Sequence, residues 1–359
     1  MKRCKRSHHG RVGAWNMAVT IKDIAQLAQV NKCVVSHVLR DDAYAAKVRP
    51  ETRERVRRIA AELGYERNLL ASSTRTGIVN TIAVLCDFTR FKDFFSINWV
   101  LSGIMMETSA NDYSIKLFPE TDLERTFSGI QGNRIRKMIS TSVDFGIRER
   151  TAELAGKYGI DLVFIYECGH GGYPSVNVDN VEMSAAAVQY LAGLGHTRIG
   201  LLCVPHIHHF HYVEDRHNGY RLGMERSGLK ADPDWIWCSD DAEGGTEKML
   251  SLPQSRRPSA FYAIADNLAV RAERYANRRG LEIPRDFSIV GVGASEIGRY
   301  AVTPITTMDE NLPTYGINAV RILLGNTDGL LISEQNVCRV QASLIVRDST
   351  DFYPAPPKK

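Results

Sequence analysis

The chain has 359 residues, 44% of them hydrophobic, with 45 Lys+Arg against 41 Asp+Glu and a formal net charge of +4. At roughly 100–200 residues per domain this length predicts two or three units, each able to bury a real core. No run approaches the roughly 20 apolar residues of a membrane helix. The basic start (Lys2, Arg3, Lys5, Arg6, Arg11) has no apolar stretch behind it, so a cytoplasmic protein without a secretory signal is expected.

Residues 1–18 read as a disordered basic arm or, because Met17 stands just ahead of Thr20, as a start-site artefact. Thr20 followed by Asp23 is a capping-box-like helix start. Ile21, Ile24, Ala25 and Ala28 then share one helical face, until Gln29-Val30-Asn31 interrupts the period with Asn31 placed to cap a second helix. That helix turns Val35, Val38 and Leu39 inward. Lys32, Cys33, Ser36, His37 and Arg40 are left outward, as a recognition helix needs if its first turns are to reach base edges in a major groove. Pro50 opens a third helix with Val56, Ile59, Ala60 and Leu63 as its apolar stripe, and Arg53, Arg55, Arg57 and Arg58 mostly outside. Helices of this size fit a DNA reader and a plain bundle equally well, and charge separates the two. Residues 1–77 hold 16 Lys+Arg against 7 Asp+Glu, or +9, while the remainder carries −5, so a phosphate-binding footprint sits on one end of the chain.

Gly64 to Gly77 holds about two helical turns, too short and too polar to be stable alone. It reads either as a segment that orders on DNA or as a simple flexible linker.

Beyond Gly77 short apolar runs alternate with amphipathic helices. The first series is Thr81–Cys86, about 97–110, Ser114–Phe118, Lys137–Thr141, about 148–158 and Asp161–Tyr166. The second is about 182–194, Arg198–Val204, about 216–227, Trp235–Cys238, about 245–253, Ala260–Ala265, about 267–279 and Phe287–Val292. Apolar strands alternating with helices argue for parallel sheets covered on both sides, hence two α/β lobes with a ligand cleft between them.

Seven scattered cysteines (Cys4, Cys33, Cys86, Cys168, Cys203, Cys238, Cys338), never spaced Cys-x-x-Cys, are expected to be free thiols in a reducing compartment. The run His206-Ile207-His208-His209-Phe210-His211 reads as a polar loop, a pocket lining or a metal site. The polar loop is preferred because no Cys-x-x-Cys or His-Glu-x-x-His accompanies it. Gly291-Val292-Gly293-Ala294-Ser295-Glu296-Ile297-Gly298 imitates a dinucleotide fingerprint, but Glu296 occupies the third glycine's place. No Gly-x-Ser-x-Gly, Walker loop or paired catalytic set appears. Neither an enzyme, a cofactor nor a metal is therefore expected.

From about Val19 to about Arg347 the chain resembles the LacI/GalR family of bacterial transcriptional repressors. The head carries this in Thr20-Ile21-Lys22-Asp23-Ile24-Ala25, Val35-Ser36, Val48-Arg49-Pro50-Glu51-Thr52-Arg53-Glu54-Arg55-Val56 and Glu62-Leu63-Gly64-Tyr65. The body adds Val178-Asp179-Asn180, Leu194-Gly195-His196-Thr197-Arg198-Ile199-Gly200, Arg216-His217-Asn218-Gly219-Tyr220, Gly280 through Gly291 and Pro304-Ile305-Thr306-Thr307. The resemblance implies an N-terminal all-α helix-turn-helix head over 19–66, a hinge helix over 67–78, and an α/β two-lobed periplasmic-binding-protein-like core over 79–350. Lobe 1 would span about 79–178 and 311–338, lobe 2 about 179–308 and 339–350, and 351–359 would be a tail. It also implies a homodimer on palindromic operator DNA and a small effector, a sugar or sugar derivative, bound between the lobes.

Carried over residue by residue, the DNA-contacting set comprises Thr20 and Asn31 at the helix starts, then Lys32, Cys33, Ser36, His37 and Arg40, with Asn68, Leu69, Ala71 and Thr74 in the hinge. His37 stands where relatives commonly have arginine, Val34 where they have threonine, and Arg40 where they have asparagine. Arg67 and Thr74 replace the hinge's usual proline and its minor-groove leucine, so less operator bending, or a wedge made by Leu69 or Leu70, is expected. In the cleft, Arg216 matches the ligand-gripping arginine, unless it pairs with Asp215 or Glu214. Asp266 matches an acidic contact, though Ala265 replaces its asparagine neighbour, and Gly293 takes the place of a sugar-binding aspartate. Glu167 is a compensating acceptor, and Phe94 and Phe95 offer a stacking face or core packing. The competing classes, a solute-binding protein and an α/β enzyme, would need a signal peptide without a basic head, or a catalytic set.

Overall fold

The computed structural model describes residues 19–41, 43–65, 79–88, 96–205, 211–239 and 241–353. The chain divides into two units, Met1–Ile78 and Val79–Lys359. The expected hinge contacts Asn68, Leu69, Ala71 and Thr74, together with Phe94 and His206–Phe210, lie outside the described residues.

In the first unit, α1 (Ile21–Leu27), α2 (Lys32–Arg40) and α3 (Pro50–Glu62) close over Ile24, Ala25, Ala28, Val35, Val38, Val56 and Ala60, all buried. At the start of α1 the Asp23 carboxylate accepts from Thr20 N at 2.8 Å and from its hydroxyl at 2.7 Å, closing the capping box. Asn31 Oδ1 accepts from Cys33 N at 3.0 Å, which satisfies one orphan donor of α2. Gln29 takes φ 50° between the two helices, filling with a side chain the left-handed corner a glycine would occupy without cost.

The second unit holds two six-stranded sheets. The first contains β1 (Thr81–Cys86), β2 (Ser114–Pro119), β3 (Lys137–Ser140), β4 (Asp161–Ile165), β5 (Ser175–Val178) and β11 (Val337–Val340), in the order β11-β5-β4-β3-β1-β2, all parallel. The second contains β6 (Ile199–Cys203), β7 (Ile236–Cys238), β8 (Ala260–Ala263), β9 (Ser288–Val292), β10 (Thr306–Asp309) and β12 (Ser343–Ile345), in the order β12-β10-β9-β8-β6-β7, with only β12 antiparallel. Helices α4 (Ser96–Ala110), α5 (Leu123–Gly132), α6 (Phe145–Tyr158) and α12 (Leu312–Leu324) belong to the first lobe. Helices α7 (Asn180–Gly193), α8 (His211–Arg226), α9 (Ala242–Leu250), α10 (Asp266–Arg278) and the short α11 (Glu296–Arg299) belong to the second. The central strands are buried almost throughout, as parallel strands covered on both faces must be.

The chain passes between lobes at Val178–Asn180, Asp309–Leu312 and Val340–Ser343. Two helix pairs approach closely enough to require glycine. A Cβ on Gly219 of α8 would lie 2.6 Å from Ser184 Cβ of α7, and one on Gly316 of α12 would lie 2.6 Å from Ile104 N of α4.

Three expectations need correction. Ser36 is buried rather than outward, because its place between Val35 and Val38 turns it toward the head core and its small side chain fits there. Residues 351–353 are part of the second lobe rather than a free tail. His196 Nε2 bonds Asp351 O at 3.2 Å, Tyr353 N donates to Leu194 O at 2.8 Å, and the His196 and Tyr353 rings stack at 5.3 Å. Cys203 and Cys238, expected free, are joined by a disulfide, since the parallel register of β6 and β7 sets them opposite each other across 35 residues of sequence. Pairing of that range leaves no local sequence signal.

Candidate functional site

On the head, Lys32 and Cys33 are exposed at the first turn of α2 and His37 is half-buried, its ring 4.5 Å from that of Tyr44. Arg40 lies along its own helix, with Nε donating to Ser36 O at 3.1 Å and Nη2 meeting His37 Nδ1 at 3.4 Å. A guanidinium only donates, so in this contact Nδ1 stands as the acceptor. Asp41 after α2 pairs with Arg57 of α3 at 2.6 Å, holding the last turn of one helix to the flank of the other.

In the core, the carboxyl ends of strands from both sheets open onto one cavity of about 410 Å³. Asp87 after β1, Glu120 after β2, Thr141 and Ser142 after β3 and Tyr166 after β4 come from the first lobe. Ala265 and Asp266 after β8, Val292 at the end of β9, Gly293 after it and Glu310 after β10 come from the second, with Trp99 and Tyr212 adding aromatic faces. This is where doubly wound sheets bind ligands, because loops there converge while helices cover the sides.

Arg216, from the second turn of α8, is the centre of this wall. It is 6% exposed, and each of its nitrogens donates within the protein: Nε to Asn180 Oδ1 at 2.8 Å, Nη1 to Ile264 O at 2.7 Å and Nη2 to Glu310 Oε1 at 2.5 Å. Asn180 and Glu310 stand at two of the three crossings between the lobes. One guanidinium therefore pins two hinge strands while lining the cavity, and it pairs with neither Asp215 nor Glu214 in doing so.

Asp266 also lines the cavity, but its Oδ2 accepts from Ser295 N and Oγ at 2.7 Å each and its Oδ1 from Thr307 Oγ at 2.7 Å. It clasps the turn Gly293-Ala294-Ser295, where Gly293 has φ 121°, so the apparent nucleotide fingerprint is a turn held by a carboxylate. Glu167 does not line the cavity. It is 3% exposed, accepts from Tyr212 N at 3.3 Å, and its pKa rises to about 7, chiefly through burial, with Arg148 opposing the shift. Arg148, also buried, stacks over Phe164 at 4.4 Å and donates to Ser142 O at 3.2 Å and to Cys168 O. Burial brings its pKa down to about 10. The Glu167 bond joins a first-lobe loop to the first turn of second-lobe helix α8, behind the cavity wall rather than in it.

Among the described residues no group of three or more His, Cys, Asp or Glu is placed to hold a metal ion. Asn180, Glu310, Trp99 and Tyr212 are site residues that periodicity does not reveal. Asn180 stands in the motif Val178-Asp179-Asn180, which carries the resemblance without singling it out, and for the others only a place just after a strand or at the head of a helix facing the cleft could have marked them.

A helical head joined to a two-lobed, cleft-bearing α/β core defines the class of ligand-controlled regulators. The head matches the model for bacterial regulatory proteins of the lacI family over residues 20–68, and residues 188–350 match a periplasmic binding protein-like domain. The ribose operon repressor of Haemophilus influenzae is 30% identical over 85% of this chain and 91% of its own length. The HTH-type transcriptional repressor CytR of Escherichia coli is 28% identical over 94% and 98%. The chain belongs to the lacI family of bacterial regulatory proteins. Its fold matches the lac repressor dimer bound to operator and the anti-inducer ONPF with TM-score 0.73 at 20% identity, over 93% of this chain and all of that one. It also matches the transcriptional regulator CelR–cellobiose complex with TM-score 0.65 at 21% identity, over 92% and 100%. No helix among the described residues is long and apolar enough to cross a membrane.

Proposed function

We infer that this protein is a cytoplasmic, non-enzymatic transcriptional repressor that binds a palindromic operator as a homodimer, its grip set by a sugar or sugar derivative held between the core lobes. The observation that carries this reading is the placement of Arg216, whose donors tie two interlobe crossings while its side chain lines the cavity. A ligand that bonds Glu310 or Asn180 competes with those donors for the same acceptors and so acts on the lobe angle, which is what differential binding to two states requires. The saccharide class is supported by the relatives, one named for a ribose operon and one solved with cellobiose. On the head, Lys32, Cys33 and His37 are the proposed base readers, with Asn31 orienting the helix start.

The test is a pair of measurements on the full chain and on a chain lacking residues 1–77. Retention of DNA fragments selected from a random pool is expected for the full chain only. Thermal stabilisation by one member of a panel of sugars, sugar acids and nucleobases is expected for both, since a ligand at 100 times its Kd stabilises the folded core by about 2.7 kcal/mol. DNA retention that survives the deletion overturns the reading.

A further inference from the structure

Cys203 ends β6 and Cys238 ends β7, in register on neighbouring parallel strands with Cα atoms 4.5 Å apart and a disulfide between them. Among the described residues the remaining cysteines, Cys33, Cys86, Cys168 and Cys338, are free thiols. A single bonded pair in a chain otherwise carrying free thiols is the pattern of a reactive site rather than of a disulfide-stapled fold. We propose that Cys203 and Cys238 form a reversible thiol–disulfide exchange site for low-molecular-weight thiols and disulfides of the glutathione type, whose state sets the rigidity of the second lobe's cleft wall. The site is separate from the effector cavity, and only its consequence for effector binding rests on the function proposed above.

Three features carry this. The pair lies at the carboxyl ends of its strands, the end that faces the cavity. Beyond Cys203 the chain leads into α8, whose first turns place Tyr212 and Arg216 on the cavity wall. Second, β7 has three residues and pairs with β6 alone, so it is an edge held by a short ladder, and a covalent bond there changes its tethering more than it would in a central strand. The residues beyond Cys238 are tied in as well: Asp241 caps α9 by accepting from Gly244 N at 2.9 Å, and its carbonyl accepts from Trp237 Nε1 at 2.8 Å. Third, the two residues differ in access, Cys203 being 1% exposed and Cys238 half-buried. Exchange therefore enters at Cys238 and is resolved by Cys203.

In the oxidising direction the Cys238 thiolate attacks one sulfur of the small disulfide, forming a mixed disulfide and releasing one small thiolate. The Cys203 thiolate then attacks the Cys238 sulfur, closing the protein disulfide and releasing the second. Two protein thiols lose two electrons and two protons, and one small disulfide becomes two small thiols. Reduction runs the same steps backward, a small thiolate attacking the accessible Cys238 sulfur with Cys203 as leaving group.

The experiment equilibrates the full chain in buffers of graded reduced-to-oxidised glutathione, quenches with acid, alkylates with iodoacetamide and counts labelled cysteines by peptide mass. Hydrogen exchange is followed in the two end states. Cys203 and Cys238 are expected to lose label together across the series. Amide exchange over Tyr212–Arg216 is expected to be about threefold slower or more in the oxidised chain. Cys238→Ser, checked for the melting profile of the reduced natural chain, is expected to abolish both effects, and Cys203→Ser to trap glutathione on Cys238. Full labelling at every ratio overturns the proposal, as does protection at every ratio, which marks a permanent staple. Reversible protection without any change over Tyr212–Arg216 overturns the link to the cleft wall. None of these readouts needs the effector, so their failure is distinguishable from failure of the effector reading.

Discussion

Arg216 concentrates in one side chain what the cleft requires of single residues. Its partner Glu310 is itself 13% exposed at the side chain, so truncating the arginine leaves a mostly buried carboxylate without its cation. Arg216→Ala is expected to destabilise the core by about 3–5 kcal/mol, with Arg216→Lys recovering only part, read from denaturant midpoints. Glu167 makes a pH-dependent contribution. Its pKa stands at about 7 in the folded protein against 4.5 unfolded, so the folded state holds the extra proton between those values. Stability from this group is complete below about pH 4.5 and is lost as pH rises through about 7. His196 runs the other way: burial lowers its pKa from 6.5 to about 4, so its contribution is complete above pH 6.5 and is lost as pH falls toward 4. The two windows overlap and offset each other. Subtracting the unfolding profile of Glu167→Gln from that of the natural chain isolates the first. The variant is expected to gain on the natural chain by up to about 3 kcal/mol between pH 4.5 and 7. On the head, the Arg40 guanidinium meets His37 Nδ1. Arg40→Gln is expected to change the ring-nitrogen chemical shifts of His37 and to relax base preference at the operator position that His37 is proposed to read.

The elements were unequally legible. The head helices follow directly from their caps and apolar stripes, and the strongly apolar strands β1, β3, β4, β6, β8 and β9 stand out as runs. Helix α5, with Gly129 and Gly132 in ten residues, and α12, with Pro313 in its first turn, have no such outline, nor do the short strands β5, β10, β11 and β12. Those last pieces are formed by the sheets they complete, not by local preference. Close packing imposes its own requirement on the helices. Gly316→Ala is expected to cost about 1–3 kcal/mol or more in the unfolding of the core, because the added methyl meets the backbone of α4 and must force α4 and α12 apart, while the head's helicity stays unchanged.

At the scale of the whole molecule each lobe presents exposed apolar side chains: Met105, Met106 and Leu117 on the first, and Ile297, Tyr300 and Val302 on the second. A monomer has little reason to keep both in water. The double substitution Met106→Glu, Val302→Glu is expected to yield monomers in sedimentation and to weaken operator retention strongly, because two heads on one palindrome bind with the advantage of a joined pair. The logarithm of the operator affinity of the intact dimer is expected to fall linearly with the logarithm of salt concentration, the mark of counterion release by the basic head. Composition, charge and periodicity sufficed for a basic helical head on a two-lobed α/β body, since caps, charge blocks and strand–helix alternation are local properties, while the class of the protein and Arg216 as a cleft residue came from the resemblance of its motifs to the family's. Tertiary structure alone decided that Arg216 is already engaged with Asn180 and Glu310, that Glu167 sits behind the wall, that Asp266 clasps a turn, that Ser36 is covered and that Cys203 meets Cys238. Each of those depends on contacts between segments far apart in sequence, brought together only when the sheets assemble, and burial and bonding then set the chemistry of the residues involved.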